Sequence, residues 1–485
     1  MKRTILLVTL LLAISSSFAQ TMEEAFQQAA QIVQNIKQTK FPDRTFNIIE
    51  YGAVANQEDK LNHEAINLAI LACNQAGGGT VIVPKGDFYT GPITLKSNVN
   101  LHLEEGATLK FTTDQSYYFP AVLTRWEGVD CYNAHPLIYA YGETNIALTG
   151  KGTVDGQGAA DAWWYMKGGR YAQEGKIHQG MGGRDRLLGM AETFAPVDRR
   201  VMKPEDALRP QLINFYRCNS VLIEGLTLKD SPFWVIHPLF CQNLIVRNVT
   251  INGLGPNNDG CDPESCKNVL IEGCSFNTGD DCIAIKSGRN ADGRRWATPS
   301  ENIVVRNCKM KNGHGGIVVG SEISGGYKNL YVENCEMDSP QLDRVVRIKT
   351  STCRGGVIEN LFVRNIKVGV CNEAVMRINL QYEGKEKCDR SFPPVVRNVN
   401  LENITCEKSK FGILINGLDE DDNIYNINVR NCTFNNVSAK GNKLTGKYHD
   451  INFDNLKING KTVKKPNRMP KEILKHSKIT LKQSF

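Results

Sequence analysis

Apolar residues recur in one short phrase along most of the chain. "NLIVRN" begins at 243, "NVLIEG" at 268, "NIVVRN" at 302, "NLYVEN" at 329, "NLFVRN" at 360, "NVNLEN" at 398 and "NINVRN" at 426, with looser copies at 100 ("NLHLEE"), 145 ("NIALTG") and 220 ("SVLIEG"). Within each phrase apolar residues alternate with polar or outward ones, the period of a half-buried strand, and Asn or Gly stands at the ends, where a turn needs left-handed backbone. The intervals are too uneven for a helical array and natural for a coil with loops of varied length. One such strand cannot bury its face, whereas coils stacked about 4.8 Å apart share a continuous core. The pattern predicts an all-β chain wound into a single right-handed parallel β-helix.

Three stretches depart from this period. Residues 22–38 and 60–75 carry helical apolar spacing, and both are assigned to an N-terminal cap region, residues 20–80, that covers the open end of the solenoid. Residues 163–209 mix charge and glycine with few strand signals and read as a long lateral loop. Its adjacent tryptophans, Trp163 and Trp164, read as packing anchors of that loop rather than a sugar platform.

The first residues, "MKRTILLVTLLLAISSSFAQ", join a basic start, a short apolar run and small residues before a cut expected after Ala19. Residues 1–19 are therefore expected to be a signal peptide and 20–485 the β-helix domain, exported to the periplasm or beyond. The apolar run is too short to span a bilayer, so no membrane insertion is expected. A formal net charge of +7, less Lys2 and Arg3 after cleavage, is a mild positive bias that suits an anionic partner. The aromatic and basic clusters of a nucleic-acid surface are missing, and "KTVKKPNRMPKEILKHSK" from 461 reads as a solvated basic tail.

Fifteen cysteines in an exported chain suggest disulfides, but Cys274, Cys308, Cys335 and Cys432 each close the repeated phrase. That regularity predicts stacked core thiols. No zinc-ligand spacing is present. The sequons at Asn248, Asn403 and Asn431 coincide with the phrase and read as coil asparagines.

In a stacked coil, matching positions of successive turns lie side by side. Asp259 follows a turn in one coil, Asp280 and Asp281 follow the equivalent turn in the next, His314 comes one coil later, and Arg347 and Lys349 one coil after that. Carboxylates crowded on one face repel, so one keeps its proton where others are ionised, and glycosidic cleavage needs such a pairing of acid and base. A nearby cation pair can hold a substrate carboxylate, with Arg347 offering a bidentate fork. Lys286 either reaches the groove or solvates the coil edge.

These blocks, "NNDG" at 257, "GDDC" at 279, "GHG" at 313 and "RIK" at 347, together with "EYGAVAN", "AGGGTVIVPKG" and "LEEGATL", closely resemble glycoside hydrolase family 28, the polygalacturonases. The resemblance implies an inverting hydrolase of α-1,4-galacturonosidic bonds in pectin. It implies Asp280 as general acid, Asp259 and Asp281 as the groups that activate water, His314 as support for the acid's protonation, and Arg347 and Lys349 as ligands of a galacturonate carboxylate. Tyr382, in "INLQYEG", matches a family tyrosine near the sugar. One departure is "NND" where many relatives carry threonine in the middle. No metal or cofactor is implied. The expected ligand is an anionic pectic polysaccharide or oligosaccharide, and the expected state a monomer. The 163–209 loop, with Arg170, Arg184, Arg186, Arg199 and Arg200, is a candidate wall for exo action, and "TRWEGVDCYNAHPLIYAYG" from 124 resembles the bacterial exo-acting branch. The competing readings are a rhamnogalacturonan hydrolase, a calcium-dependent pectate lyase, and a carbohydrate-binding solenoid without catalysis.

Overall fold

The computed structural model describes residues 20–438 and 441–464. The expected signal peptide and most of the basic tail lie outside these residues. The chain forms the expected right-handed parallel β-helix. Each central coil has three strands, for example Ile236–Leu239, Gln242–Arg247 and Thr250–Gly253. The repeated phrases stack in parallel register, with Leu244 beside Val269, Val269 beside Ile303, and Ile303 beside Leu330. Among the described strands, antiparallel pairing is confined to the hairpin Val122–Trp126 with Val129–Asn133 and to the terminal pair Leu456–Ile458 with Lys461–Val463.

The asparagine at the head of each phrase does what its position predicts. Asn243, Asn268, Asn302, Asn329, Asn360, Asn398 and Asn426 all have φ between 54° and 64°. Their amides form a ladder between coils, Asn302 donating to Asn268, Asn329 to Asn302 and Asn360 to Asn329 at 2.9–3.1 Å. Such a ladder satisfies the side chains that a turn in every coil would otherwise leave unpaired. The sequon asparagines Asn248, Asn403 and Asn431 occupy a second left-handed corner. Cys274, Cys308 and Cys335 stack in the core as expected, and Cys218, Cys241 and Cys266 make another buried column. One disulfide, Cys353–Cys388, lies outside these columns.

The two N-terminal helices have different tasks. Helix α2 (His63–Gln75) buries Ile66, Ala69, Ile70 and Cys73 against the first coils and ties to them through Asn67, which donates to the Pro92 carbonyl and accepts from Thr94 N–H. It covers the open end. Helix α1 (Met22–Asn35), opened by a Thr21–Glu24 capping box, does not cap that end. Its Ala25, Phe26, Ala29 and Ile32 lie on the flank of the solenoid, against Ile245, Leu270, Val304, Tyr331 and Phe362. The helical period was correct and the place was not, because the outward position of five phrases is apolar and offers α1 a longer surface than the end coil does.

The 163–209 segment is more ordered than a loop. It carries helix α3 (Gly183–Glu192) and several short helical turns, and it packs Leu187, Ala191, Met202 and Leu208 on Trp126, Phe233 and Trp234. Trp163 is fully buried against Tyr118, and Trp164 donates to the Ser231 carbonyl at 3.0 Å, so both anchor the segment.

Candidate active site

The site lies where successive coils enter one ladder, through Cys261, Ile283, Ile317 and Val346 in consecutive register. Asp259 lies two residues before the first of these rungs, Asp281 two and Asp280 three before the second, and His314 three before the third, while Arg347 and Lys349 belong to the strand of the fourth. Backbone bonds lock the turns together, with Gly260 N–H donating to the Asp281 carbonyl and His314 N–H to that of Asp280, at 2.9 and 3.1 Å. Gly313 shows why glycine flanks the histidine: its φ is +133°, and a Cβ there would stand 2.4 Å from the Asp280 carbonyl oxygen.

One oxygen from each of Asp259, Asp280 and Asp281 lies within 4.8 Å of the others. The His314 Nδ1 is 2.9 Å from Asp280 Oδ1. Arg347 donates to Asp281 Oδ1 at 3.1 Å and Lys349 to Oδ2 at 2.6 Å, so both cations hold this aspartate in the free protein. Tyr382 lies under the two cations, 5.6 Å from the Arg347 guanidinium and 5.5 Å from Lys349 Nζ. The six residues of the four blocks and Tyr382 therefore form one constellation.

Lys286 is neither on a solvated edge nor in open groove. It is buried beneath the acids, 3.0 Å from Glu322, 3.8 Å from Asp259 and 4.4 Å from the Trp234 ring centre. Glu322 in turn meets Arg289, which binds Glu127, Glu383 and Glu386, and Arg354 binds the last two from the other side. This network links the hairpin tip at Glu127 to the segment carrying Tyr382. The Cys353–Cys388 disulfide holds the same segment beside Arg354.

The charges are distributed unevenly. Burial raises the Asp259 carboxyl well above its ordinary range, and neighbouring Asp262 and Asp280 add to this, more than Lys286 offsets. Of the three aspartates, Asp259 is thus the one that holds a proton most readily. Asp262, fully buried with both oxygens lacking a hydrogen-bond partner, is pushed up in the same way by burial. For Asp280, burial is outweighed by His314 and, behind it, Lys349 and Arg347, which hold the carboxyl below its ordinary range. His314 is raised to about 9, chiefly by Asp280, and is half-exposed. The free protein thus differs from the expectation of a protonated Asp280: the proton of that pair rests on the imidazole. Asp281 is lowered, its burial overcome by Lys349 and Arg347.

The NND turn is held from within. Asn258 is fully buried, accepts from Gly255 N–H and donates to the Ser231 and Phe233 carbonyls at 3.0 Å. An amide makes all three bonds where a hydroxyl would lack one donor, which explains asparagine at this position. Buried Arg209 binds the neighbouring Asn257 at 2.8 Å.

Of the five arginines expected to build a wall, Arg184 reaches the network, pairing with Glu127 at 2.8 Å. Arg186 turns to Asp206, Arg200 is buried on Asp292, Arg170 lies on Tyr171, and Arg199 is exposed. Lys167, which sequence reasoning missed, comes from the same segment and feels both Glu127 and Asp280. Asp262, Glu322, Trp234 and Arg289 were also missed. They sit in no repeated phrase, and only the fold brings them under the acids.

A family model described as Glycosyl hydrolases family 28 matches residues 199–412. The chain is 39% identical to a hyperthermoactive exopolygalacturonase from Thermotoga maritima of known structure, with a TM-score of 0.84 over 90% of this chain and 97% of that one. The chain belongs to glycosyl hydrolase family 28. It is 27% identical over 417 residues to a probable polygalacturonase of Vitis vinifera, covering 84% of this chain and 77% of that protein. It is also 27% identical to an exo-poly-alpha-D-galacturonosidase of Dickeya chrysanthemi, covering 70% of this chain and 57% of that protein. As a family 28 protein it is a glycoside hydrolase.

Proposed function

We propose that the protein hydrolyses α-1,4-galacturonosidic bonds in pectin, releasing galacturonate units from a chain end. The observation that carries this reading is the union of three carboxylates in contact range with two buried cations beside Tyr382. A neutral sugar would not reward buried Arg347 and Lys349, whereas a uronate carboxylate accepts from both and competes with Asp281 for them. The galacturonosidase names of its relatives support the same substrate.

In this mechanism Asp280 protonates the leaving oxygen and His314 is the source of that proton, passed across the 2.9 Å contact. Oxygens of Asp259 and Asp281 less than 4.8 Å apart suit one water bonded to both, and as that water attacks the anomeric carbon its proton passes to Asp281, the more acidic and ionised of the two. Lys286 fixes Asp259 from below. This spacing is shorter than the roughly 6.5–9.5 Å common between the two carboxyls of inverting glycosidases. The assignment of Asp259 and Asp281 as joint holders of one water makes that water, not a carboxylate, the group that attacks carbon. Inversion follows, and proton NMR of the first product anomer tests it: β-galacturonate from the α-linkage is expected, and α-galacturonate would refute the water-attack assignment.

Exo action is supported by the wall made of Lys167, Arg184, Glu127 and Arg289, which joins three separate segments on the acid side of the site. A chain end abutting this wall would place its first linkage at the acids. Sugar release ahead of any sharp viscosity drop is the expected time course. The protein acts as an exported enzyme in this reading, as the first nineteen residues suggest.

A further inference from the structure

Arg347 has a neighbour of its own kind. The strand after it in the ladder, Ala374–Asn379, sets Arg377 directly beside Arg347, in the same outward row of the sheet. Arg377 is part-buried and makes no hydrogen bond or ion pair among the described residues. The acid within its reach is Glu373, and that carboxylate is already bonded by Arg344. Arg344 is further committed to Asp343 and the His314 carbonyl. Arg377 therefore stands between two other guanidiniums, partly out of water, with no counter-charge of its own. A half-desolvated cation in that position is costly unless a ligand anion completes it.

One coil advances about 4.8 Å along the solenoid, on the scale of one sugar residue. With a chain end at the proposed wall, Arg347 and Lys349, one coil beyond the His314 coil, meet the sugar on the leaving side of the scissile bond, and Arg377 lies one coil further on. We propose that Arg377 binds the carboxylate of the next galacturonate along the leaving side, making the protein prefer chains of three or more acidic sugars over the dimer. This rests on the galacturonosidase reading and extends it by one binding position. Asn379 follows Arg377 by two residues, beside Lys349 in register, and its amide oxygen accepts from Gln381 N–H and from Asn416.

The test compares Arg377→Gln and Arg377→Lys with wild type on digalacturonate and trigalacturonate, reading kcat and KM separately. The dimer fills only the two positions astride the scissile bond. Arg377→Gln is expected to raise KM for the trimer about tenfold, as loss of one charge-assisted contact does, with the dimer unchanged. Arg377→Lys restores part of the trimer preference. A trimer esterified at its reducing-end carboxylate should lose the same factor with wild type and show no further loss with Arg377→Gln. Equal losses on dimer and trimer, or none on either, overturn the assignment of Arg377 while leaving the galacturonosidase reading intact. A wild-type protein inert on both substrates overturns that reading and this one with it.

Discussion

The proton of the Asp280–His314 pair rests on the imidazole. His314, raised to about 9 by Asp280, favours the folded state fully below its ordinary value near 6.5, and that contribution is lost as pH rises through about 9. Asp280, lowered by His314, contributes above its ordinary 3.8 and loses its contribution as pH falls through its depressed value. Titrating His314 by NMR should return a pKa about 9 in wild type and a value falling toward the ordinary range in Asp280→Asn. An unchanged value in the variant would remove Asp280 as the cause. If the imidazole supplies the catalytic proton, kcat/KM also falls on an alkaline limb near the same pH. Lys286 makes a different prediction. Lys286→Met strips the buried Glu322 and Asp259 of a shared cation, and its cost should be about 3–5 kcal/mol in denaturant unfolding. A loss under about 1 kcal/mol would mean that Arg289 alone suffices for Glu322. At this scale the grouping of the candidate site could be read from "NND", "GDD", "GHG" and "RIK", because each ends or enters a repeated coil. The burial of Lys286 could not, since one lysine after "CIAI" reads alike whether it faces solvent or core.

The elements show where sequence period is informative and where it falls silent. Alternation identified the strands, and asparagine at the phrase heads marked turns that the structure confirms as left-handed. The helical period of α1 was equally visible, but period says which face is apolar, not what covers it. A signal for its docking was present: the outward position is apolar at Ile245, Leu270, Val304, Tyr331 and Phe362, then becomes Asn400 and Asn428, whose amides form their own ladder at 3.0 Å. The change from apolar to amide outlines the footprint of the helix. Phe26, edge-on to Tyr331 and capped by Arg364, is the centre of that contact. Phe26→Ala should release α1, seen as lost hydrogen-exchange protection in residues 22–35, while kcat/KM stays within about twofold because the groove is on another face. A large activity loss would mean that the flank and the groove are coupled.

The whole molecule is a stiff solenoid whose length was legible from its repeats and whose groove ends were not. Segments between phrases build the wall, and their charges meet across more than a hundred residues, as Arg289 does with Glu127. Such contacts have no local sequence signature. Three clustered carboxylates would also suit a divalent cation, the feature on which a lyase reading depends. Arg347 and Lys349 already neutralise Asp281, so hydrolysis should persist in chelator at full rate. The decisive measurement is therefore a time course of purified protein on polygalacturonate with chelator present, with Asp280→Asn alongside and products resolved from the first minutes. Saturated monogalacturonate from the outset, with the rate about a thousandfold lower in Asp280→Asn, is the predicted result. Unsaturated products, arrest by chelator, or an undiminished Asp280→Asn would contradict the account.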